Sequence, residues 1–273
     1  MTYQLLALDL DGTVVESDLV ISPRVPQAIA AAQARGVRVT IATGRMFGAT
    51  MPFVHALGIS DPVICYQGGM VRHPHTGEIY QHALMPAAPA AESVELLLAA
   101  GLFVVAYIDE RLCIAERRAE LDMYLAYHPE GAEVVVAPDL PALVRETPPT
   151  KILFVAQPEQ VGAQLERLGA HFAGTLSTVR SHQLFGELTP LGISKGAALA
   201  TLAGQLGIPQ AHVMAIGDHE NDLEMIRWAG LGLAMGNAIP AAKQAAKAVL
   251  PTVREDGVAV AIERYILRAE PPE

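Results

Sequence analysis

Leu5-Leu6-Ala7-Leu8-Asp9-Leu10-Asp11-Gly12-Thr13 decides how this chain is read. A short apolar run that stops at turn residues suits a strand buried on both faces of a sheet. Asp9 and Asp11 follow it directly. Residues two apart on an extended chain point the same way, so both carboxylates face one small volume at the sheet edge. Two like charges held close need a cation or a shared proton. A divalent metal is the simplest remedy, and hard oxygen ligands suit magnesium (Mg2+). Gly12 allows a tight turn, and Thr13 adds a hydroxyl and an amide donor. Alone, the stretch also fits a capped loop with solvated acids.

Outward from it, strand and helix signals alternate. Ser22 before Pro23 reads as an N-cap with proline at the first helical position, and Gly36 closes that helix. Val37 to Ala42 is apolar and β-branched, a second strand. A helix from Phe47 to Leu57 ends at Gly58, and Pro62 to Cys65 gives a third strand. The C-terminal third repeats the grammar. Ser194 caps a helix from Lys195 to Leu206. The strand Val213 to Ile216, a helix over Leu223 to Ala229, the strand Leu231 to Ala234 and a last helix from Gly257 to Leu267 follow. This is the pattern of a doubly wound parallel sheet, in which ligands bind beyond the carboxyl ends of the strands.

Three further motifs fall at such ends. Thr43-Gly44-Arg45 offers a hydroxyl and amide groups at a helix start, an anion site if it is more than a strand-to-helix turn. Lys195 opens a helix, where a cation gains nothing from the dipole; an anion nearby would explain it, and a solvent-facing lysine is the plain alternative. Gly217-Asp218-His219-Glu220-Asn221-Asp222 packs more acids and amides after a strand than one helix cap needs. Paired acids, an anion-binding turn, a lysine and a second acidic loop are together what phosphoryl transfer to an aspartate requires.

From His82 to Pro190 the texture changes. Prolines 86, 89, 138, 141, 148 and 149 punctuate short strands at Phe103 to Ile108, Val134 to Val136 and Lys151 to Val155, with helix signals near Ala90 to Ala100 and Glu159 to Leu168. The expected organisation is a discontinuous core domain, 1–81 and 191–273, with an α+β domain inserted at 82–190.

Composition narrows the partners. The chain has 273 residues, 51% hydrophobic and 18% charged, a globular balance. Its 19 basic and 29 acidic residues give a net charge of −10, which argues against nucleic acid or an acidic membrane surface. Two cysteines, Cys65 and Cys113, cannot form a disulfide framework, so a reducing compartment is expected. The longest charge-free apolar run, Leu96 to Ile108, is well short of the ~20 residues a span needs. Met1-Thr2-Tyr3-Gln4 carries no basic leader. The expectation is a cytoplasmic protein, monomer or homodimer. His73 and His75 read as a solvated hairpin loop, Cys65 as a core thiol, Trp228 as packing, and Glu116, Arg117 and Arg118 as a solvated helix start.

The motifs Asp9-Leu10-Asp11-Gly12-Thr13, Thr43-Gly44-Arg45, Lys195 and Gly217-Asp218-x-x-Asn221-Asp222 resemble, in order, motifs I to IV of the haloacid dehalogenase-like hydrolases. The long insert, Ala42-Thr43-Gly44-Arg45 and Met235-Gly236-Asn237-Ala238 are similar to the Cof-type branch, subfamily IIB. The resemblance implies a Rossmann-like core with a C2-type cap. It implies that Asp9 attacks phosphorus and becomes a transient aspartyl phosphate, and that Asp11 protonates the leaving oxygen and then activates water. It further implies that Thr43, Gly44 and Arg45 with Lys195 hold the phosphoryl group, and that Asn221 contacts phosphate or orients Lys195. Mg2+ is implied on the side chains of Asp9 and Asp218 and the carbonyl of Asp11, with Asp222 supporting that shell. His219 stands where the branch usually has a small residue, and Gln67 where it usually has asparagine.

The reading is a Mg2+-dependent phosphatase of small phosphorylated metabolites, with sugar phosphates, flavin mononucleotide or pyridoxal phosphate as candidates. A phosphomutase of a sugar phosphate is the enzymatic alternative. A phospho-switch is the non-enzymatic one, against which the absence of an acid from Cys65 to Gly69 counts.

Overall fold

The computed structural model describes residues 3–126 and 132–267. Met1 and Thr2, read for a leader, lie outside them, as do 127–131 and 268–273, which the expected domains span.

In chain order the first elements are β1 (Leu5–Leu8), α1 (Arg24–Gln33), β2 (Arg38–Ile41), α2 (Phe47–Leu57), β3 (Val63–Cys65), β4 (Met70–Arg72) and β5 (Ile79–His82). The middle supplies α3 (Ala87–Ala99), β6 (Phe103–Ile108), β7 (Arg111–Ile114), α4 (Ala119–Ala126), β8 (Glu133–Val136), α5 (Leu140–Glu146), β9 (Lys151–Val155), α6 (Pro158–His171), β10 (Leu176–His182) and β11 (Phe185–Pro190). The chain closes with α7 (Lys195–Gln205), β12 (Val213–Gly217), α8 (Leu223–Trp228), β13 (Leu231–Ala234), α9 (Pro240–Ala245), β14 (Ala248–Val249) and α10 (Gly257–Ile262). The chain separates into two compact units. One holds the residues up to Gly44, Thr50–Tyr80 and those from Ser194; the other holds Arg45–Ala49 and Gln81–Ile193.

The first unit is built on a five-stranded sheet of order β14-β13-β12-β1-β2, parallel throughout. Its strands are continuous apolar runs because both faces are covered. Leu5 and Ala7 pack with Leu199, Leu202 and Met225 of α7 and α8. Strand alternation turns the buried Leu6 and Leu8 to the opposite face. Each buried leucine contributes ~1.5–3 kcal/mol. From β1 the chain runs one way to β2 and the other way to β12 and β13. The switch point therefore lies between β1 and β12, where the register Leu8↔Ile216 sets Asp9 beside Gly217.

The third strand departs from the expected parallel pattern. β3 pairs antiparallel with β4 in a separate three-stranded sheet with β5, and meets β2 only through an isolated parallel bridge, Ala42↔Ile64. The reason is local: a tight turn at Tyr66–Gly68 brings the next strand back beside β3 before it can extend the ladder. Helix starts are also adjusted. α1 begins at Arg24 with Pro23 as its uncapped N-cap, one residue later than the sequence suggests.

The second unit carries a six-stranded sheet, β10-β11-β9-β6-β7-β8, antiparallel except for β7 with β8. One face packs Val104, Ala106, Ile152, Phe154 and Leu188 against apolar residues of α3, α5 and α6. On the other face, by strand alternation, Lys151 Nζ pairs with Glu187 Oε2 at 2.9 Å, both buried. The expected β6 and β9 form at the expected bounds, and α4 starts at Ala119, just after the helix start read at Glu116 to Arg118, while β7, β10, β11 and α5 were not anticipated. No helix among the described residues is long and apolar enough to cross a membrane.

Candidate active site

The first acidic motif leaves β1 as a tight turn. Asp9 still belongs to the sheet, its amide donating to Ile216 O at 3.0 Å. The amides of Thr13, Val14 and Val15 then turn back onto Leu10 O. Gly12 has φ +85°, and a Cβ there would lie 2.3 Å from Asp218 Oδ2. Glycine is thus required twice, by conformation and by the approach of the second acidic loop.

That second loop follows β12. Asp222 Oδ2 accepts the backbone amides of Asp218 at 2.9 Å and His219 at 3.0 Å, closing a short turn. Gly217 makes it possible, since a Cβ there would meet the Asp222 side chain at 2.5 Å. Asp222 Oδ1 accepts from Lys195 Nζ at 2.7 Å, and the same ammonium donates to Asp9 Oδ1 at 2.6 Å. All three side chains are buried. The Ser194 hydroxyl caps α7 by accepting from Ala197 N at 3.0 Å, which fixes the turn carrying Lys195. The misplaced cation of the sequence thus has two anionic partners.

The remaining acid faces this pair. Oxygens of Asp9, Asp218 and Asp222 lie within 4.8 Å of one another, and Asp9 Oδ2 is buried without a hydrogen-bond donor. Burial, then the charge of Asp222, raises the Asp9 carboxyl to about 7 against the pull of Lys195. Burial, then the charges of Asp9 and Asp222, raises Asp218 to about 9. For Lys195 burial works against the ammonium, but Asp222 and Asp9 outweigh it and move it upward. Carboxyls pushed this far up form a site that wants one more positive charge. An orphaned carboxylate oxygen, a second raised acid and an all-oxygen donor set fit a divalent cation.

Thr43 sits fully buried at the end of β2; its amide donates to Ile64 O, and its carbonyl accepts from Gln67 N. Gly44 follows beneath the Gln67 side chain. Asn221 Nδ2 donates to Gln67 Oε1 at 3.0 Å. Asp11 is exposed at the turn. Asp9, Asp11, Thr43, Gly44, Lys195, Asp218, Asn221 and Asp222 all belong to the first unit, whereas Arg45, buried, groups with the second. Two side chains that the sequence left without a role tie these loops together. Gln67 is one, and its signal was a glycine-rich turn at a strand end. The other is Asn237, whose Nδ2 donates to Gly12 O at 2.7 Å and whose Oδ1 accepts Val253 N at 3.2 Å. His73 Nδ1 accepts the amides of His75 and Thr76 within its hairpin loop, as a structural loop histidine does.

A parallel α/β sheet with a lysine-braced acid cluster at its switch point suits binding of a divalent cation and an anionic group. The family model for haloacid dehalogenase-like hydrolases matches residues 6–262. YxeH of Bacillus subtilis strain 168 is 32% identical over 273 residues, covering 97% of this chain and 99% of its own. The 5-amino-6-(5-phospho-D-ribitylamino)uracil phosphatase YitU of the same organism is 29% identical over 278 residues, with 96% and 97% covered. Pyridoxal phosphate phosphatase YbhA of Escherichia coli K12 is 28% identical over 284 residues, with 98% and 100% covered. A haloacid dehalogenase-like hydrolase from Bacteroides thetaiotaomicron superposes with TM-score 0.84 at 29% identity, over 96% of this chain and 99% of that one. A haloacid dehalogenase-like hydrolase from B. subtilis gives 0.86 at 28%, over 96% and 100%. This chain belongs to the haloacid dehalogenase-like hydrolases and is a hydrolase of their phosphatase type.

Proposed function

We propose that the protein is a Mg2+-dependent phosphomonoesterase of small phosphorylated metabolites that works through an aspartyl phosphate on Asp9. The observation that carries the reading is the asymmetry of Asp9: Oδ1 is held by Lys195, and Oδ2 is buried without a donor. A carboxylate fixed at one oxygen presents the other in a single orientation, which an in-line nucleophile needs. Asp11, two residues on and exposed, would protonate the leaving oxygen. It then takes a proton from the water that hydrolyses the acyl phosphate. The Thr43 hydroxyl, the Gly44 amide, Lys195 and Asn221 receive the equatorial oxygens, whose charge must be neutralised. Asp222 positions Lys195 and the Asp218 loop and touches no substrate. Asp9, Asp218 and the Asp11 carbonyl would hold the cation, which supplies the remaining neutralising charge when bound.

Residues 82–190 would be the inserted cap domain, and Arg45 a further phosphate-binding residue. YitU and YbhA are named for a phosphorylated ribitylaminouracil and for pyridoxal phosphate, and phosphorylated cofactors of that kind, with sugar phosphates, are the first substrates to try. The test is a screen of phosphorylated metabolites and an aryl phosphate, with Mg2+ and after chelation. Release of inorganic phosphate that disappears in Asp9→Asn supports the reading. Turnover retained by that variant removes Asp9 as nucleophile, and an isomeric sugar phosphate as product would make the enzyme a mutase.

A further inference from the structure

We propose that Glu224 is a positioning residue for Lys195, acting through the Ser194 hydroxyl that caps α7. This deepens the phosphatase reading and rests on it for the effect on turnover. A serine hydroxyl has one proton to give and two lone pairs. One lone pair of Ser194 accepts from Ala197 N at 3.0 Å, the bond that caps the helix. The proton is donated to Glu224 Oε2. With its proton drawn to one side, the hydroxyl is fixed in rotation and its lone pair stays on the amide.

The same glutamate meets the chain on the other side of the lysine. A Cβ on Gly196 would fall 2.6 Å from Glu224 Cβ and 2.9 Å from Met225 N, so the first turn of α7 lies directly on the start of α8. Two residues before Glu224, Asp222 Oδ1 accepts from Lys195 Nζ at 2.7 Å. Asp222-Leu223-Glu224 therefore grips Lys195 at both ends. Asp222 takes the ammonium, and Glu224 meets the residues on either side of its Cα.

The ammonium has a second duty, since it also donates to Asp9 Oδ1 at 2.6 Å. Lysine is a point charge on a flexible four-carbon stem, and it keeps two buried partners at once only if its Cα is stationary. Glu224 is exposed, so its hydrogen bond competes with water and adds little to stability. Its effect is on geometry, and a reacting group displaced by ~1 Å loses far more in rate than such a bond contributes to folding.

The experiment compares Glu224→Ala, Glu224→Gln, Ser194→Ala and the double variant Ser194→Ala with Glu224→Ala, each in the full chain. Two quantities are read: kcat/KM for an aryl phosphate in Mg2+, and the 1H–15N NMR signal of the Lys195 ammonium, which burial keeps from rapid exchange with water. Glu224→Ala should lose about five- to tenfold in kcat/KM, between the effect of a lost helix cap and that of a misplaced reacting group. Glu224→Gln, whose amide oxygen still accepts from Ser194, should return to about the wild-type value. Once Ser194 is alanine, removing Glu224 should add little, because its route is already gone. The ammonium signal should shift in Glu224→Ala and return in Glu224→Gln. A signal unmoved by Glu224→Ala overturns the proposal, as does a glutamine variant no better than alanine, and additive losses in the double variant overturn the route through Ser194. A wild type without turnover removes the phosphatase reading instead, and the ammonium signal then decides the positioning of Lys195 by itself.

Discussion

Lys195 holds the acid cluster together. Its ammonium is the counter-charge for Asp9 and Asp222, which lie 186 and 27 residues away in the chain. Lys195→Met would leave two buried carboxylates without it. Removing one partner of a buried ionic group costs about 3–5 kcal/mol. Urea denaturation should therefore show a loss of that order alongside lost turnover; a variant as stable as the wild type would show that the acids are compensated otherwise. Asp218→Ala should be nearly the opposite. It removes a crowded carboxyl whose protonation burial already favours. The metal-free chain should keep or gain stability, while the rise in melting temperature on adding Mg2+ disappears. An undiminished rise would place the cation elsewhere. At this scale Lys195 was legible in the sequence as a cation at the wrong end of a helix. Its two partners were not, because no local property of residues 193–197 refers to Asp9 or Asp222.

At the scale of elements, the acids that cluster together follow strand ends, and the turns after those ends set their geometry. Gly68→Ala tests this without touching a polar group. The new methyl would have to occupy φ +101° and lie 2.3 Å from Ser194 O. Left-handed geometry alone costs about 1–2 kcal/mol. Thermal denaturation should show at least that, with Michaelis constants for an aryl phosphate raised as the Gln67 turn shifts; wild-type values of both would mean the turn is free to move. The helices and strands of the parallel sheet were readable from apolar runs and cap residues, and α2 and β13 form at the expected bounds. β3 was read as a strand, but its partner was not foreseen. Three apolar residues, Val63 to Cys65, carry no record of whether they pair parallel or antiparallel. β10 escaped because Ser177, Thr178, Arg180 and Ser181 break its apolar pattern, as a half-exposed edge strand permits.

For the whole molecule, the buried acids, whose carboxyls burial raises, make stability depend on pH. Asp9 and Asp218 titrate at about 7 and about 9 in the folded chain, against 3.8 unfolded. Between about pH 4 and 9 the folded chain therefore holds more protons than the unfolded one. Stability of the chelated protein must fall as pH rises through that window. Melting temperatures in chelator should decline from pH 5 to 8.5, and added Mg2+ should restore more at the upper end than at the lower. A flat profile in chelator would mean that the carboxyls are already neutralised from within.

The sequence by itself determined the alternation of elements, the arrival of acids, hydroxyl and lysine at strand ends, and the family those motifs resemble. These follow from residues adjacent in the chain, where periodicity, caps and glycine act locally. Only the tertiary structure decided that Lys195 braces both Asp9 and Asp222, that Gln67 spans Gly44 and Asn221, and that Asn237 fastens the Gly12 carbonyl. Each of those contacts joins segments that are separate in the chain, and the packing of strands and helices that brings them together is a property that no single segment contains.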